Sequence, residues 1–128
     1  MFSHLRVLEL ANVLAGPAVG MFFAELGAAV IKVENLPGGG DVTRSWKLAS
    51  EAQEEDRPAY FCAVNWGKRS LALDLRKPAA QAIVQALARQ ADIVLASYLP
   101  GTARQLGVDA ETLRGLNPRL IYGEISGY

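Results

Sequence analysis

Basic side chains recur in this sequence just beyond short apolar runs, where a protein built of strands and helices can hold an anion. The segments Ala11 to Pro17, Asn35 to Arg44, Arg76 to Pro78 and Ser97 to Arg104 each follow such a run, and three of them carry Arg or Lys. An arginine grips a phosphate through paired N–H donors, and a lysine acts as a point charge. Taken singly, Arg76, Lys77 and Arg104 read as solvated charges at helix ends. Taken together they favour an anionic, nucleotide-like ligand. No self-sufficient catalytic set accompanies them: there is no nucleophile elbow and no metal constellation, and His4 and Cys62 are the only residues of their types. Cys62 lies beside aromatic residues in an apolar stretch, so it is expected to be an inert core thiol.

The elements that must position these residues begin with Leu5 to Glu34. Leu5-Arg6-Val7-Leu8-Glu9-Leu10 has the length of a buried strand. After Gly16 and Pro17 a helix is expected from Ala18 to Leu26, with Pro17 at its first position and Gly27 at its C-cap. Ala29 to Glu34 is a second strand, which completes a right-handed βαβ unit. Such units bind ligands at the C-terminal ends of their strands, where loops and a helix N-terminus present N–H groups. The dinucleotide fingerprint G-x-G-x-x-G is absent, although Glu34 ends the second strand where a ribose-binding acid would sit.

Leu36-Pro37-Gly38-Gly39-Gly40-Asp41 is a loop, either a backbone cradle for phosphate or a plain connector. Asp41 to Pro58 is charged and aperiodic and reads as a surface excursion. Ala59 to Val64 is a short helix or strand. Ser70 to Leu75, a helix through Ala79 to Ala91 and Asp92 to Ala96 repeat the strand-helix-strand pattern. A short helix from Thr102 to Gly107, another opened by Val108 and Asp109, and a last strand from Leu120 to Ile125 follow. Because the chain stops at the C-terminal end of a strand, we expect that end to be a cut.

The 128 residues are about half apolar and suit one domain with a real core. Thirteen basic residues balance thirteen acidic ones, which gives no general electrostatic case for nucleic acid or an anionic membrane. The longest apolar stretch, Val13 to Phe23, is interrupted by Gly16, Pro17 and Gly20 and is too short to span a bilayer. No secretion signal is read at the N-terminus, and the lone cysteine makes a cytoplasmic setting the default.

Several motifs resemble the opening of the class III coenzyme A-transferases, the CaiB/BaiF family. They are Val13-Leu14-Ala15-Gly16-Pro17, Leu26-Gly27-Ala28, Val30-Ile31-Lys32-Val33-Glu34, and Gly40-Asp41 with Thr43-Arg44. In the same order follow Lys68-Arg69-Ser70, Leu73-Asp74-Leu75, Pro100-Gly101, Leu106-Gly107, Asn117 to Tyr122 and Ile125-Ser126-Gly127-Tyr128. Ala96-Ser97 stand before Tyr98 where members often have Glu-Asn.

The resemblance implies an α/β fold: a Rossmann-like, mostly parallel sheet flanked by helices, here the N-terminal coenzyme A-binding portion, residues 1–128, of a truncated large domain. It places coenzyme A contacts at Val13, Leu14, Ala15, Leu73, Arg76, Ser97, Tyr98 and Arg104, with no metal. The family's catalytic Asp, which forms a mixed anhydride and then a thioester, is expected downstream of this chain, so none of these residues is catalytic. The full-length enzyme would take acyl-CoA and a carboxylic acid and form a homodimer of interlocked subunits or a higher oligomer. The alternatives are a racemase of α-methylacyl-CoA esters and a non-catalytic nucleotide-binding or interaction module.

Overall fold

Five short runs, each carrying Val, Ile or Leu, form five parallel strands, β1 (Arg6–Leu10), β2 (Ala29–Asn35), β3 (Arg69–Leu73), β4 (Ile93–Ala96) and β5 (Ile121–Glu124). A computed structural model describes residues 1–127; Tyr128, which closes the Ile125-Ser126-Gly127-Tyr128 motif, lies outside the described residues. The strand order is β3-β2-β1-β4-β5. Val7 stands between Val30 of β2 and Ile93 of β4, which makes β1 central. The expected Rossmann-like α/β sheet is present, and every strand pair in it is parallel.

Alternation along the strands sends their side chains to two opposite layers. Leu8, Leu10, Val94 and Ala96 pack with Val84, Ala88, Val108 and Leu113 on one face. Val7, Val30, Ile93 and Leu95 pack with Phe2, Leu5, Phe23 and Ala24 on the other. The first face is covered by α3 (Pro78–Ala88) and α5 (Ala110–Leu116), the second by α1 (Ala15–Glu25) and α2 (Ala59–Asn65). The one-turn helix α4 (Thr102–Gln105) lies between β4 and α5. None of the helices is long and apolar enough to cross a membrane, among the described residues.

Local chemistry explains most boundaries. Pro78 opens α3, and Asp109 caps α5 by accepting from the Thr112 N–H at 3.1 Å. Helix α1 starts at Ala15, so Pro17 occupies its third position; a first-turn N–H has no intrahelical partner, and its loss there costs nothing. Gly27, with φ 96, turns the chain out of α1 in a conformation an L side chain resists.

The segment around Cys62 departs from expectation. It is a helix whose inner face is Phe61, Val64 and Asn65, and Cys62, one helical step round from Phe61, is exposed. The thiol is therefore not a core residue. An apolar sequence neighbourhood does not specify which side of a short helix is covered.

Leu113 is fully buried between α5 and the sheet, whereas Ile83 of α3 is 44 % exposed. Leu113→Ala is expected to cost about 2 to 5 kcal/mol. Ile83→Ala should stay within about 0.5 kcal/mol beyond its helix-propensity change. Urea denaturation of both variants checks this assignment of the core.

Candidate functional site

The strand order reverses at β1, so the loops that leave β1 and β4 diverge and open a crevice at the C-terminal edge of the sheet. The Asn12 N–H donates to Ser97 Oγ at 3.1 Å and ties the two loops together. The N-terminus of α1 faces this edge with no side-chain cap and no acid in its first turn, which leaves its N–H groups and dipole unneutralised. Beside it lies a cavity of about 270 Å³. Its walls are apolar at Leu10, Val33 and Leu73 and polar at Asn12, Asp74 and Arg76, and Tyr98 lines it as well. Burial pushes the Tyr98 phenol up to about 12, so it stays protonated at every physiological pH.

The structure brings Leu73, Arg76 and Tyr98 to this one cavity and sets Ser97 next to it. Val13, Leu14 and Ala15 form the turn from β1 into α1; Leu14 and Ala15 are exposed. Arg76 lies against Asp74, donating from Nε at 2.9 Å and Nη2 at 3.1 Å. Arg104 stands apart on α4, 73 % exposed and paired with Glu111, and does not line the cavity. The cavity also uses Asn12, Asn35 and Leu106, which the sequence reading did not single out. Their position immediately after β1, at the end of β2 and at the end of α4 was the available signal.

A second group was missed altogether. Glu9, Lys32 and Glu34 lie on the face of the sheet that α1 and α2 cover, and all are at most 2 % exposed. Lys32 Nζ sits 2.9 Å from Glu9 Oε1 and 2.9 Å from Asp41 Oδ2, and donates to the Ala11 carbonyl at 2.6 Å. Lys68 Nζ contacts Glu9 Oε2 at 2.7 Å, as an ion pair without hydrogen-bond geometry, and donates to the Pro17 carbonyl at 2.7 Å. Glu34 is held by Arg44 through Nε and Nη2, both at 2.7 Å, by Ser70 Oγ at 2.6 Å and by the Asp41 N–H at 2.8 Å. The readable signal was a charge within an apolar strand, because a strand buried on both faces tolerates one only when it is paired.

These partners decide two readings that the sequence leaves open. Glu34 is fully engaged inside the protein and is not free to bind a ribose. Nor is the glycine-rich loop an open cradle: the Gly39 and Gly40 N–H groups donate to Leu36 and Asn35 carbonyls, and the Asp41 N–H to Glu34. The loop instead delivers Asp41 beneath β1, where its carboxylate accepts from the Val13 N–H at 3.2 Å. Val13 has φ 70, the only positive φ at a non-glycine among the described residues. For a β-branched residue such a conformation costs on the order of 1 to 3 kcal/mol.

Residues 2–128 match the profile of CoA-transferase family III. A succinate–glutarate CoA-transferase of Agrobacterium fabrum is 47% identical over 129 residues, covering 98% of this chain and 32% of that protein. A mouse succinyl-CoA:glutarate CoA-transferase is 40% identical over 97% of this chain and 28% of its own length. Among solved structures, a CaiB/BaiF family protein from Brucella suis superposes with a TM-score of 0.85 at 41% identity, covering 97% of this chain and 32% of that one. A Mycobacterium tuberculosis protein superposes with a TM-score of 0.88 at 36% identity, covering 99% and 34%. The chain thus spans about a third of the length of the relatives it matches.

The charged cluster also fixes an acid limit. Burial alone would raise the Glu34 carboxyl, but Arg44, Ser70 and the Asp41 N–H outweigh it and hold the group at about 2, below the ordinary 4.5. A depressed carboxylate stabilises the fold fully above its unfolded value and loses that contribution as pH falls through its folded one. Stability should therefore decline between about pH 4.5 and about pH 2 by on the order of 3 kcal/mol from this residue. Urea midpoints measured across that range should fall less steeply in Glu34→Gln than in the parent; equal slopes would remove Glu34 from the acid limit.

Proposed function

The chain belongs to CoA-transferase family III, and from that premise we propose that residues 1–128 are the N-terminal, coenzyme A-binding portion of the large domain of an acyl-CoA:carboxylate CoA-transferase. The observation that carries this reading is the 47% identity, across 98% of the chain, to a protein named for transfer of coenzyme A between two dicarboxylates. The name of the mouse relative favours transfer over racemisation or a purely binding role in the same way.

The crevice suits one portion of the cofactor. A cavity of mixed lining, apolar at Leu10, Val33 and Leu73 and polar at Asn12, Asp74 and Arg76, next to an uncapped helix N-terminus, suits a ligand with both flat or alkyl parts and phosphates. Leu73 and Tyr98 would supply apolar contact, Ser97 a hydroxyl, Val13 to Ala15 backbone groups, and Arg76 charge. Arg104, joined to Glu111 only by a surface ion pair worth about 0 to 1 kcal/mol, is free to exchange that partner for a phosphate. When bound, coenzyme A supplies the thiol whose ester carries the acyl group.

The nucleophilic carboxylate of the reaction belongs, in this reading, to the remainder of the enzyme. Glu9, Glu34 and Asp41 are buried and ion-paired inside the protein, and Glu51, Glu54, Glu55 and Asp56 lie on the excursion between β2 and α2. Exposed Phe22 on α1 and Trp66 after α2, at 54 % and 73 %, are suited to contact with further chain or with a second subunit in a homodimer. The lone thiol supports a cytoplasmic setting.

Full-length enzyme should transfer coenzyme A from an acyl-CoA to a free dicarboxylic acid, whereas the isolated chain should show no turnover in the same chromatographic assay. Turnover by the isolated chain would place the nucleophile among these residues after all. Arg104→Ala in the full-length enzyme should weaken coenzyme A binding about ten-fold or more with folding intact, the scale of one charge-assisted phosphate contact. Unchanged affinity by calorimetry, with unchanged discrimination against dephosphorylated cofactor, would remove Arg104 from the site.

A further inference from the structure

We propose that Asp41 is a positioning residue for coenzyme A: its buried carboxylate holds Val13 in a left-handed conformation and so fixes the β1–α1 loop against which the cofactor lies. The inference rests on the reading of that loop as part of the cofactor site.

Two consecutive residues of the loop are displaced from ordinary backbone geometry. Val13 has φ 70, and Leu14, which precedes α1, has φ −131 and ψ −65. No glycine relieves either position, so something outside the loop must hold them. The Val13 N–H points at Asp41, 3.2 Å from Oδ2 and 3.4 Å from Oδ1. A hydrogen bond to a buried carboxylate is stronger than one between neutral groups and is suited to offset such strain.

Asp41 cannot yield, because it is held from every side. Lys32 Nζ lies 2.9 Å from Oδ2, and the Thr43 N–H and Oγ1 donate to Oδ1 at 3.0 and 2.8 Å. Its own N–H is bound to Glu34 Oε2 at 2.8 Å, and its exposure is 2 %. Gly40, with φ 100, brings the chain in so closely that a Cβ would stand 2.7 Å from Glu34 Oε2 and 2.9 Å from Arg44 Cδ. The same Lys32 ammonium also grips the Ala11 carbonyl at 2.6 Å, so one cation anchors both ends of the strained turn. Without Asp41, Val13 returns to the ordinary extended or right-handed region. Its peptide units then rotate, and Leu14 and Ala15 move with them at the mouth of the crevice.

The test uses the full-length enzyme, coenzyme A as titrant in calorimetry, thermal unfolding, and initial rates with acyl-CoA. Asp41→Ala should raise the Kd for coenzyme A about ten-fold or more, with KM rising more than kcat falls. Asp41→Asn, which keeps an acceptor oxygen and loses the charge, should lie between this variant and the parent. Val13→Gly added to Asp41→Ala should recover at least about three-fold in affinity, because glycine adopts the left-handed region without help. Leu113→Ala serves as the control that lowers thermal stability and leaves the Kd in place. Asp41 variants that lose thermal stability while their Kd stays within about two-fold of a parent that binds would overturn the positioning role alone. Should Asp41→Ala not fold, Asp41→Asn and its Val13→Gly double variant decide by the same criterion. A parent enzyme with no affinity for coenzyme A overturns the reading of the loop, and the inference with it.

Discussion

The Lys32 ammonium is the point on which this structure turns. At 1 % exposure it is removed from water, and an isolated charge there would be untenable. It is met by Glu9 from the neighbouring strand, Asp41 from the following loop and the Ala11 carbonyl from the chain leaving β1. Around this contact the charges balance: Glu9, Glu34 and Asp41 face Lys32, Lys68 and Arg44. Burial lowers the Lys68 ammonium while Glu9 opposes that shift in part, and the Asp41 carboxyl is lowered because Thr43 and Lys32 outweigh its burial. Such a cluster is a weak source of stability, since well-packed apolar side chains of the same volume hold a sheet about as well. What apolar packing lacks is direction. Lys32 reaches Asp41 of the loop that leaves β2 and the Ala11 carbonyl of the chain that leaves β1, and Glu34 holds Arg44 of the same β2 loop.

The cluster also dictates how α1 lies. A Cβ at Gly20 would stand 1.8 Å from Glu9 Oε2, and one at Gly16 would stand 2.3 Å from Ala11 Cβ. Alanine is the better helix former by about 1 kcal/mol, so on propensity alone both glycines are unfavourable. Their presence lets the helix approach the strands closely enough for Lys68 to reach the Pro17 carbonyl and Glu9 together. The uncapped N-terminus of α1 therefore arrives at the edge of the sheet at a height set by charge pairing beneath it.

The strands and their order of helices were legible in the sequence because apolar runs of strand length alternate with helical periods and are punctuated by Pro78, Gly27 and Asp109. A parallel sheet followed from that alternation. The cavity was legible in part: Arg76 and Tyr98 stand just past strand ends, whereas Leu73, the last residue of β3, was reached only through the family resemblance. The charged cluster was not read, because Glu9 and Lys32 each look like a surface charge until the register pairs them directly across β1 and β2. Asp41 was read as the end of a loop, and nothing local says that it folds back under Val13. Cys62 failed for a related reason, since burial of a residue in a seven-residue helix depends on which face its partners cover. Pairwise and tertiary facts of this kind do not reside in any single window of sequence.

The same cluster bears on which acids of this chain keep a free oxygen at the crevice. A carboxylate nucleophile needs a free oxygen at the crevice and an ionised state that partners do not monopolise. Glu34 fails on both counts, with its oxygens filled by Arg44, Ser70 and the Asp41 N–H. Asp41 is committed to Val13, Thr43 and Lys32, and Glu9 lies under α1 away from the edge. Asp74 lines the cavity, but Arg76 covers both of its oxygens and depresses its pKa, which weakens it as a base and a nucleophile. Glu9, Glu34, Asp41 and Asp74 thus shape and orient, and the edge beside them presents N–H donors, a phenol and guanidinium groups, a set of donors matched to an anion.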